Sequence, residues 1–131
     1  MRRLAAALVA SLTLAACAQP SPQTTAACPA PLKPAMEVDL YFGEVSEADW
    51  AAYLADEVTP RFPDGLSVGD VAGQYRNASG RITHERSKLL IVVVFDAPAH
   101  MAKVQAIVDA YRKRFGQESV LRVEKAVCAG L

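Results

Sequence analysis

Four segments of the chain carry the hydrophobic pattern of a β-strand. Segment 37–43 alternates with period two, so its apolar residues share one face. Segment 66–76 changes the phase of its apolar positions near Gly69, which predicts a bulge at that point. Segment 89–95 is apolar at every position and gives the strongest strand signal in the chain, and segment 120–124 gives a short last strand.

Two segments carry the periodicity of an amphipathic helix. The first begins after Ser46, a favourable N-cap residue, and runs to Val58. The second begins at Pro98 and ends at Gly116, where we expect a left-handed cap. Six apolar side chains line one face of the second helix, namely Met101, Val104, Ile107, Val108, Tyr111 and Phe115.

The order of these elements is strand, helix, strand, strand, helix, strand, with a hairpin turn at 77–80. This order predicts an α+β ferredoxin-like fold, a split βαβ arrangement with two helices on one face of a four-stranded antiparallel sheet. The helices leave the other face open, yet segment 89–95 is apolar on both faces. We therefore expect a cover there, either a second copy of the protein, the N-terminal tether or a small apolar ligand. A homodimer is the commonest of these solutions.

The N-terminus has the features of an exported protein. Arg2 and Arg3 precede an uncharged stretch of 13 residues, which is too short to cross a bilayer as a helix. The sequence Leu14-Ala15-Ala16-Cys17 resembles the lipobox of bacterial lipoproteins, in which the signal is cut before the cysteine and the cysteine carries acyl chains. We therefore expect residues 1–16 to be a signal peptide and Cys17 to be lipidated, with several chains holding the protein to a membrane.

The residue after the lipidated cysteine bears on location. Ala18 resembles the outer-membrane sorting signal of enterobacterial lipoproteins, so the expected location is the cell envelope, at the outer membrane facing the periplasm. The alternative is an ordinary signal peptide cleaved nearby, with Cys17 an incidental thiol. Segment 17–35 holds five prolines without apolar periodicity, which predicts a tether, and residues 36–131 form the folded domain.

Two further cysteines remain after export, Cys28 in the tether and Cys128 near the C-terminus. Cysteines in an oxidising compartment are usually paired, so we predict a disulfide that closes a loop of roughly 100 residues. A redox pair and a metal site are the alternatives. The chain contains no CxxC spacing and no histidine near either cysteine, which disfavours both.

Composition and charge describe an ordinary globular domain. The 131 residues are 52% hydrophobic and hold 14 Lys+Arg against 14 Asp+Glu. Loss of Arg2 and Arg3 with the signal peptide leaves a formal charge of −2. Because no basic excess is present to neutralise phosphates, we expect no nucleic-acid partner.

Several separate motifs of the domain resemble a family of small exported bacterial proteins, the domain-of-unknown-function family 3574. The resemblance covers nearly all of residues 36–128. It implies export and the domain boundaries, but it implies no substrate, cofactor or catalytic residue. The motifs that carry it are LYFG at 40–43, VTPRFPDGL at 58–66, GQYR at 73–76, SKL at 87–89 and RFGQESVLR at 114–122.

Four polar or aromatic residues form the candidate ligand site, if the alternation places them all on the sheet face away from the helices. Two cations beside two tyrosines would suit a small carboxylate or phenolate. The alternative is that the cations pair with Glu124, Glu85 or a dimer partner. The four candidate residues are Tyr41, Tyr75, Lys88 and Arg122.

No catalytic constellation is recognisable in the sequence. His84 and His100 lack a nucleophile elbow and metal-ligand spacing, and the chain has no phosphate loop or dinucleotide fingerprint, so we predict no catalytic residue, no metal and no cofactor. Two function classes remain. One is a non-enzymatic, lipid-anchored domain that binds a ligand or partner. The other is a small enzyme that resembles the dimeric α+β barrel monooxygenases and acts on an organic acid or a phenol.

Overall fold

The computed structural model describes residues 27–131. The predicted signal peptide 1–16 and the predicted lipidation at Cys17 lie outside the described residues. The described elements, in chain order, are β1 (Lys33–Gly43), α1 (Glu47–Tyr53), β2 (Ser67–Arg76), β3 (Ile82–Val94), α2 (Ala97–Phe115) and β4 (Leu121–Ala129).

The four strands form one antiparallel sheet in the order β2-β3-β1-β4. This order, with two helices in the connections β1 to β2 and β3 to β4, confirms the predicted α+β ferredoxin-like fold. Both strands of the β1–β4 pair extend beyond the predicted segments, at the same end of the pair. Residues 33–35 pair with residues 127–129, so β1 begins inside the segment that we assigned to the tether, and β4 continues past residue 124.

The first helix has two parts. The side chain of Ser46 accepts a hydrogen bond from the backbone N–H of Asp49 at 3.1 Å, as the sequence predicts for this N-cap. After Tyr53 the chain continues as a π-helical segment, Leu54–Val58, in which the N–H of Thr59 donates to the carbonyl of Leu54. The predicted end at residue 58 is therefore confirmed, with a wider last turn.

The second helix, α2, ends where the sequence predicts. Gly116 adopts φ +64°, and its N–H donates to the carbonyl of Arg112, which closes the last turn. A residue with a Cβ would be strained in this left-handed conformation. Three of the six predicted apolar residues of α2 are fully buried, whereas Met101 is 39% exposed; the buried ones are Val104, Ile107 and Tyr111.

The core lies between the helices and one face of the sheet, which we call the helix side. Aromatic rings fill its centre, with Phe42 lying 4.5 Å from Tyr111 and 5.7 Å from Tyr53 between ring centroids. Burial of large rings of this kind contributes roughly 1.5–3 kcal/mol each. The helix-side residues are buried from residue 38 onward in β1 and from residue 88 onward in β3, namely Val38, Leu40, Phe42, Lys88, Leu90, Val92 and Val94.

The hairpin of β2 and β3 projects beyond the rest of the sheet. Pairing of β1 with β3 ends at Gly43, while β2 and β3 stay paired out to Arg76 and Ile82. Their register is continuous, so the bulge predicted near Gly69 was wrong. The apolar positions change phase there because β2 is an edge strand with mostly exposed side chains, so burial on one face does not fix the pattern.

The opposite face of the sheet, which we call the open face, faces away from the helices. Residues 27–131 do not themselves cover this face of β3, so the cover that the sequence predicts there stays a prediction. Leu89 and Ile91 are half-buried, Val93 is 40% exposed, and Phe95, just after β3, is 52% exposed. The open face therefore presents apolar side chains to solvent in the described residues 27–131.

The predicted disulfide is present between Cys28 and Cys128, whose Cα atoms lie 5.5 Å apart. Cys128 pairs with Pro34, and by the alternation of β4 it lies on the helix side of the sheet, as Arg122 does. The bond therefore attaches the segment before β1 to the last strand.

Candidate functional site

The structure separates the four residues that the sequence placed in one pocket. Tyr41 and Tyr75 lie on the open face, whereas Lys88 and Arg122 lie on the helix side. The expectation that all four share a face was therefore wrong.

The face of each cation follows from the strand register. Lys88 pairs with the buried Phe42, and Arg122 pairs with the buried Leu40. Directly paired residues point to the same face of a sheet, so both cations lie on the helix side. Segment 89–95 is apolar on both faces, and for that reason alternation alone did not indicate which parity meets the helices.

The two tyrosines of the open face lie far apart. Tyr41 pairs with Leu89, while Tyr75 pairs with Thr83 in the projecting hairpin. Six residues of β3 separate these positions, which corresponds to roughly 20 Å along an extended strand. A single small ligand therefore does not contact both rings.

Lys88 is the centre of an ionic cluster on the helix side. Its side chain is 6% exposed, and its Nζ donates to Asp70 Oδ1 at 2.5 Å and to Glu47 Oε1. These hydrogen bonds raise the pKa of Lys88 and hold the pKa of Asp70 below its ordinary value. The cluster ties the start of α1 to β2 and β3, so Lys88 serves as a cross-link and stays charged.

Arg122 is also satisfied within the chain. It forms an ion pair with Glu124 and donates a second contact to the sulfur of Met101 at 3.1 Å. The alternative that the sequence left open, a pairing with Glu124 or Glu85, is confirmed for Arg122 with Glu124. Lys88 also pairs with carboxylates, but they belong to Glu47 and Asp70, which the sequence did not indicate.

The middle of the open face holds a second ionic cluster. Lys125 Nζ donates to Asp39 Oδ2 at 2.6 Å and to Glu37 Oε1 at 2.9 Å, and these bonds raise the pKa of Lys125. Asp39 is only 5% exposed, and its Oδ1 has no hydrogen-bond partner within the described part of the chain. A polar cluster therefore interrupts the apolar side chains of this face.

A cavity of about 570 Å³ lies where β3 ends and α2 begins, and we call it the β3-end cavity. Its walls come from four parts of the chain: the loop 61–66 with Ser67, the end of β3 from Ile91, the first turn of α2, and residues 129–131. Its volume is in the range of pockets that bind small molecules.

The walls of the β3-end cavity combine apolar and polar groups. Apolar side chains from the loop and from β3 supply most of the surface, and His100 and Lys103 come from α2. Arg61 also lines the cavity, but its guanidinium donates to the carboxylate of Glu57 at 2.8 Å and to the carbonyl of the same residue at 2.6 Å. The arrangement suits a ligand that is mainly apolar and carries few polar atoms.

His100 is the one histidine of the cavity wall and is buried, with 1% of its surface exposed. Its Nδ1 lies 3.2 Å from the carbonyl oxygen of Asp96. Its Nε2 is buried and has no hydrogen-bond partner among residues 27–131. Because a buried polar atom without a partner costs stability, this nitrogen needs an explanation.

One pattern in the sequence could have indicated that His100 is buried. The residue precedes Val104, Ile107 and Tyr111 at the spacing of one helix face, and all three are buried. A histidine at the start of an apolar helical stripe lies in the core, although isolated histidines are more often at the surface. The loop 61–66 carried no comparable signal, because its role depends on contacts with distant parts of the chain.

A shallower groove lies at the base of the projecting hairpin. Its lining includes Gly43, Glu44, Arg86 and Gln117. The side-chain amide of Gln117 packs so closely on Gly43 that a Cβ there would lie 2.6 Å from Gln117 Oε1. This contact fixes the loop after α2 against the end of β1.

Residues 27–131 contain neither a cluster of metal ligands nor a membrane-spanning helix. No group of three His, Cys, Asp or Glu side chains in this range is placed to hold a metal ion. None of the helices in the same range has the length and hydropathy required for a membrane span.

The element order, the sheet order and the helix-side core define an α+β domain of the ferredoxin-like class. The chain belongs to the family described as Protein of unknown function (DUF3574), whose model matches residues 37–130. No curated protein matches the chain.

A solved structure of a phage enzyme shares this fold. A phage SAM lyase in complex with S-methyl-5′-thioadenosine is 19% identical with a TM-score of 0.56, over 73% of this chain and 85% of that chain. A phage SAM lyase in the apo state is 18% identical with a TM-score of 0.49, over 76% and 86% of the two chains. At this identity the likeness is one of fold.

Proposed function

We propose that the protein is a lipid-anchored domain of the bacterial cell envelope that binds a small, mainly apolar ligand in the β3-end cavity. The observation that carries the binding role is the cavity itself. It combines apolar walls with a few polar groups, and one of these, His100, has a buried nitrogen without a partner among the described residues.

The polar groups of the cavity favour binding over catalysis. Lys103 and the end of the Arg61 side chain can orient a ligand, but Arg61 is already held by Glu57. The Asp96 carboxylate lies 3.8 Å from His100 Nδ1, which is beyond hydrogen-bond distance, so it does not hold the ring as a general base or acid would be held. We therefore assign the cavity a role in recognition.

The sequence supports the anchoring part of the proposal. The lipobox-like sequence ends at Cys17, and the bond between Cys28 and Cys128 suits an oxidising compartment outside the cytoplasm. Growth of expressing cells with labelled palmitate tests this part. We expect label on the wild-type chain and none on Cys17→Ser, and label-free wild-type protein would contradict the proposal.

The phage enzyme of similar fold offers a specific alternative ligand. That enzyme was solved in complex with S-methyl-5′-thioadenosine, a nucleoside with an apolar thioether. Because one fold supports many functions, the shared fold does not assign this ligand or the lyase reaction to the present chain. S-Methyl-5′-thioadenosine therefore enters the binding experiment as one probe beside simple aromatic molecules.

Thermal unfolding with a panel of probes tests the binding role. A ligand that binds only the folded state stabilises it by RT ln(1 + L/Kd) at free ligand concentration L, so the melting temperature rises with the logarithm of that concentration once it exceeds Kd. We would compare wild type with Ser67→Trp, which places a large ring at the cavity wall, and with Val71→Trp as a matched control. Both positions lie on the open face of β2, but only Ser67 lines the cavity.

We expect p-cresol, indole or another probe of this size to raise the melting temperature of wild type and of Val71→Trp, and not of Ser67→Trp. Equal shifts in all three proteins would place binding elsewhere. No shift with any probe would contradict a cavity that binds small apolar molecules.

A further inference from the structure

The hydrogen bond of His100 determines which of its ring nitrogens holds a proton. The carbonyl oxygen of Asp96 can only accept a hydrogen bond, so Nδ1, at 3.2 Å, is the donor and carries the proton. In the neutral ring the other nitrogen, Nε2, then presents a lone pair. It is an acceptor that lacks a donor within the described part of the chain.

The remaining groups of the cavity indicate the rest of the ligand. The cavity that His100 lines also has the rings and aliphatic chains of Phe62, Leu66 and Val94 in its walls. Asp64, Asp96 and Lys103 line it as well, and the charge of Arg61 is compensated by Glu57. Two carboxylates against one uncompensated cation do not favour an anionic ligand.

From these observations we infer that the β3-end cavity selects a small neutral molecule with an apolar body and one O–H or N–H donor, such as a phenol, which donates to Nε2 of His100. The inference rests on the proposed function, because it specifies the ligand of that cavity. It accounts for a buried acceptor that residues 27–131 leave unsatisfied.

Entry of such a ligand requires movement of part of the wall, because protein atoms cover Nε2. Residues 63–66 are suited to move. They lie between the π-helical segment and β2, and none of the described backbone hydrogen bonds outside helices and strands involves them. Segments with few such bonds open at low cost in free energy.

Nitrogen NMR of the histidine rings tests the inference directly. Protein purified from cells that express the full chain, with ¹⁵N-labelled histidine, would be titrated with p-cresol and with 4-methylanisole, which has a similar shape but no donor. We expect free His100 to carry its proton on Nδ1. We also expect p-cresol to shift the Nε2 resonance and to bind about tenfold more tightly than 4-methylanisole, as one hydrogen bond to a buried acceptor allows.

Two variants separate the role of His100 from that of the cavity. His100→Phe keeps the ring and removes the acceptor, so the preference for p-cresol should disappear. His84→Phe serves as the matched control, because His84 lies in the projecting hairpin outside the β3-end cavity, and it should keep the preference. If His100→Phe does not fold, the nitrogen resonances of wild type and its affinities for the two probes still test the role of His100.

Four results would overturn the inference. Equal binding of the two probes, or a proton on Nε2 in the free protein, would show that His100 does not select a donor while the cavity still binds apolar molecules. The same conclusion follows if His100→Phe keeps the preference. Binding of neither probe would contradict the inference and the proposed function together.

Discussion

At the scale of single residues, buried polar groups of this domain have defined partners, and the exceptions are informative. Tyr53 Oη donates to the carbonyl of Ile107 at 2.8 Å, and Tyr111 Oη donates to the carbonyl of Gly43 at 2.5 Å. Burial raises the pKa of Tyr111 to about 12 and raises that of Tyr53 as well, so both phenols remain donors at neutral pH. His100 Nε2 and Asp39 Oδ1 are the exceptions among the described residues.

The two tyrosine hydroxyls should differ in their contribution to stability. The carbonyl of Ile107 lies in the middle of α2 and also accepts a helical hydrogen bond, whereas Gly43 is the last residue of β1. We expect Tyr111→Phe to lower the free energy of unfolding by about 1–2 kcal/mol and Tyr53→Phe by less. Urea unfolding measures both, and a larger loss in Tyr53→Phe would contradict this ranking.

The Lys88 cluster should make stability depend on pH in the acid range. The pKa of Asp70 is lowered in the folded state by its hydrogen bond to Lys88. The stability that Asp70 contributes is therefore complete above the ordinary aspartate pKa of about 3.9 and is lost as pH falls through the lowered folded value.

Asp70→Asn removes this contribution, so its unfolding free energy should fall less steeply than that of wild type below about pH 4. Chemical unfolding at a series of pH values measures the difference. Asp109→Asn, at an exposed position of α2, is the control and should follow wild type. Identical curves for Asp70→Asn and wild type would mean that the ion pair contributes nothing to folding.

At the scale of elements, the periodicity of the sequence predicted the order of strands and helices. It predicted only in part which face of the sheet each strand residue occupies. Segment 37–43 alternates clearly, and Val38, Leu40 and Phe42 are all buried as that pattern predicts. Segment 89–95 does not alternate, so the sequence could not show that Lys88 points to the helices. That information lies in the register between β1 and β3, which depends on pairing across the chain.

In the candidate site too, features that depend on neighbouring residues were predictable, and features that depend on residues far apart in sequence were not. The cap at Gly116 and the turn at 77–80 depend on neighbouring residues and were predicted. The β3-end cavity joins the loop 61–66 to α2 and to residues 129–131, which are distant in sequence. No local pattern marks such a site.

The disulfide joins two elements that are distant in sequence, and its loss should be measurable. Cys28 and Cys128 are 100 residues apart, and the bond restricts the unfolded chain. We expect Cys28→Ser to lower the free energy of unfolding by about 2–5 kcal/mol without changing the affinity of the β3-end cavity for p-cresol. Reduced wild type is the matched control and should lose the same amount.

A change in ligand affinity with no change in stability would contradict the structural role of the bond. Thermal unfolding of oxidised and reduced protein, with and without probe, gives both quantities in one series.

At the scale of the whole molecule, the open face of the sheet exposes apolar side chains that residues 27–131 do not cover. The homodimer predicted from the sequence stays a prediction. Leu121 is 61% exposed on this face, and Tyr41 lies beside it in the register. Apolar patches of this kind on soluble domains commonly mark an interface.

Sedimentation tests the homodimer. If the open face is the interface, Leu121→Lys should weaken association, because it places a charge in the apolar contact. Val68→Lys is the matched control, since Val68 is 47% exposed but lies on the helix side of the sheet, where it pairs with Leu90. Wild-type protein that sediments as a monomer, or equal weakening by both variants, would contradict the prediction.

The central claim is that an envelope-anchored chain holds a small neutral ligand in its β3-end cavity. Native mass spectrometry of the protein extracted from membranes of cells that express the full chain tests it most directly. We expect a chain that begins at Cys17, with the mass of its acyl groups, two protons fewer for the disulfide, and a retained small molecule that is absent from Ser67→Trp. A full-length or unacylated chain would contradict the anchoring, and wild-type protein without added ligand mass would contradict the binding role.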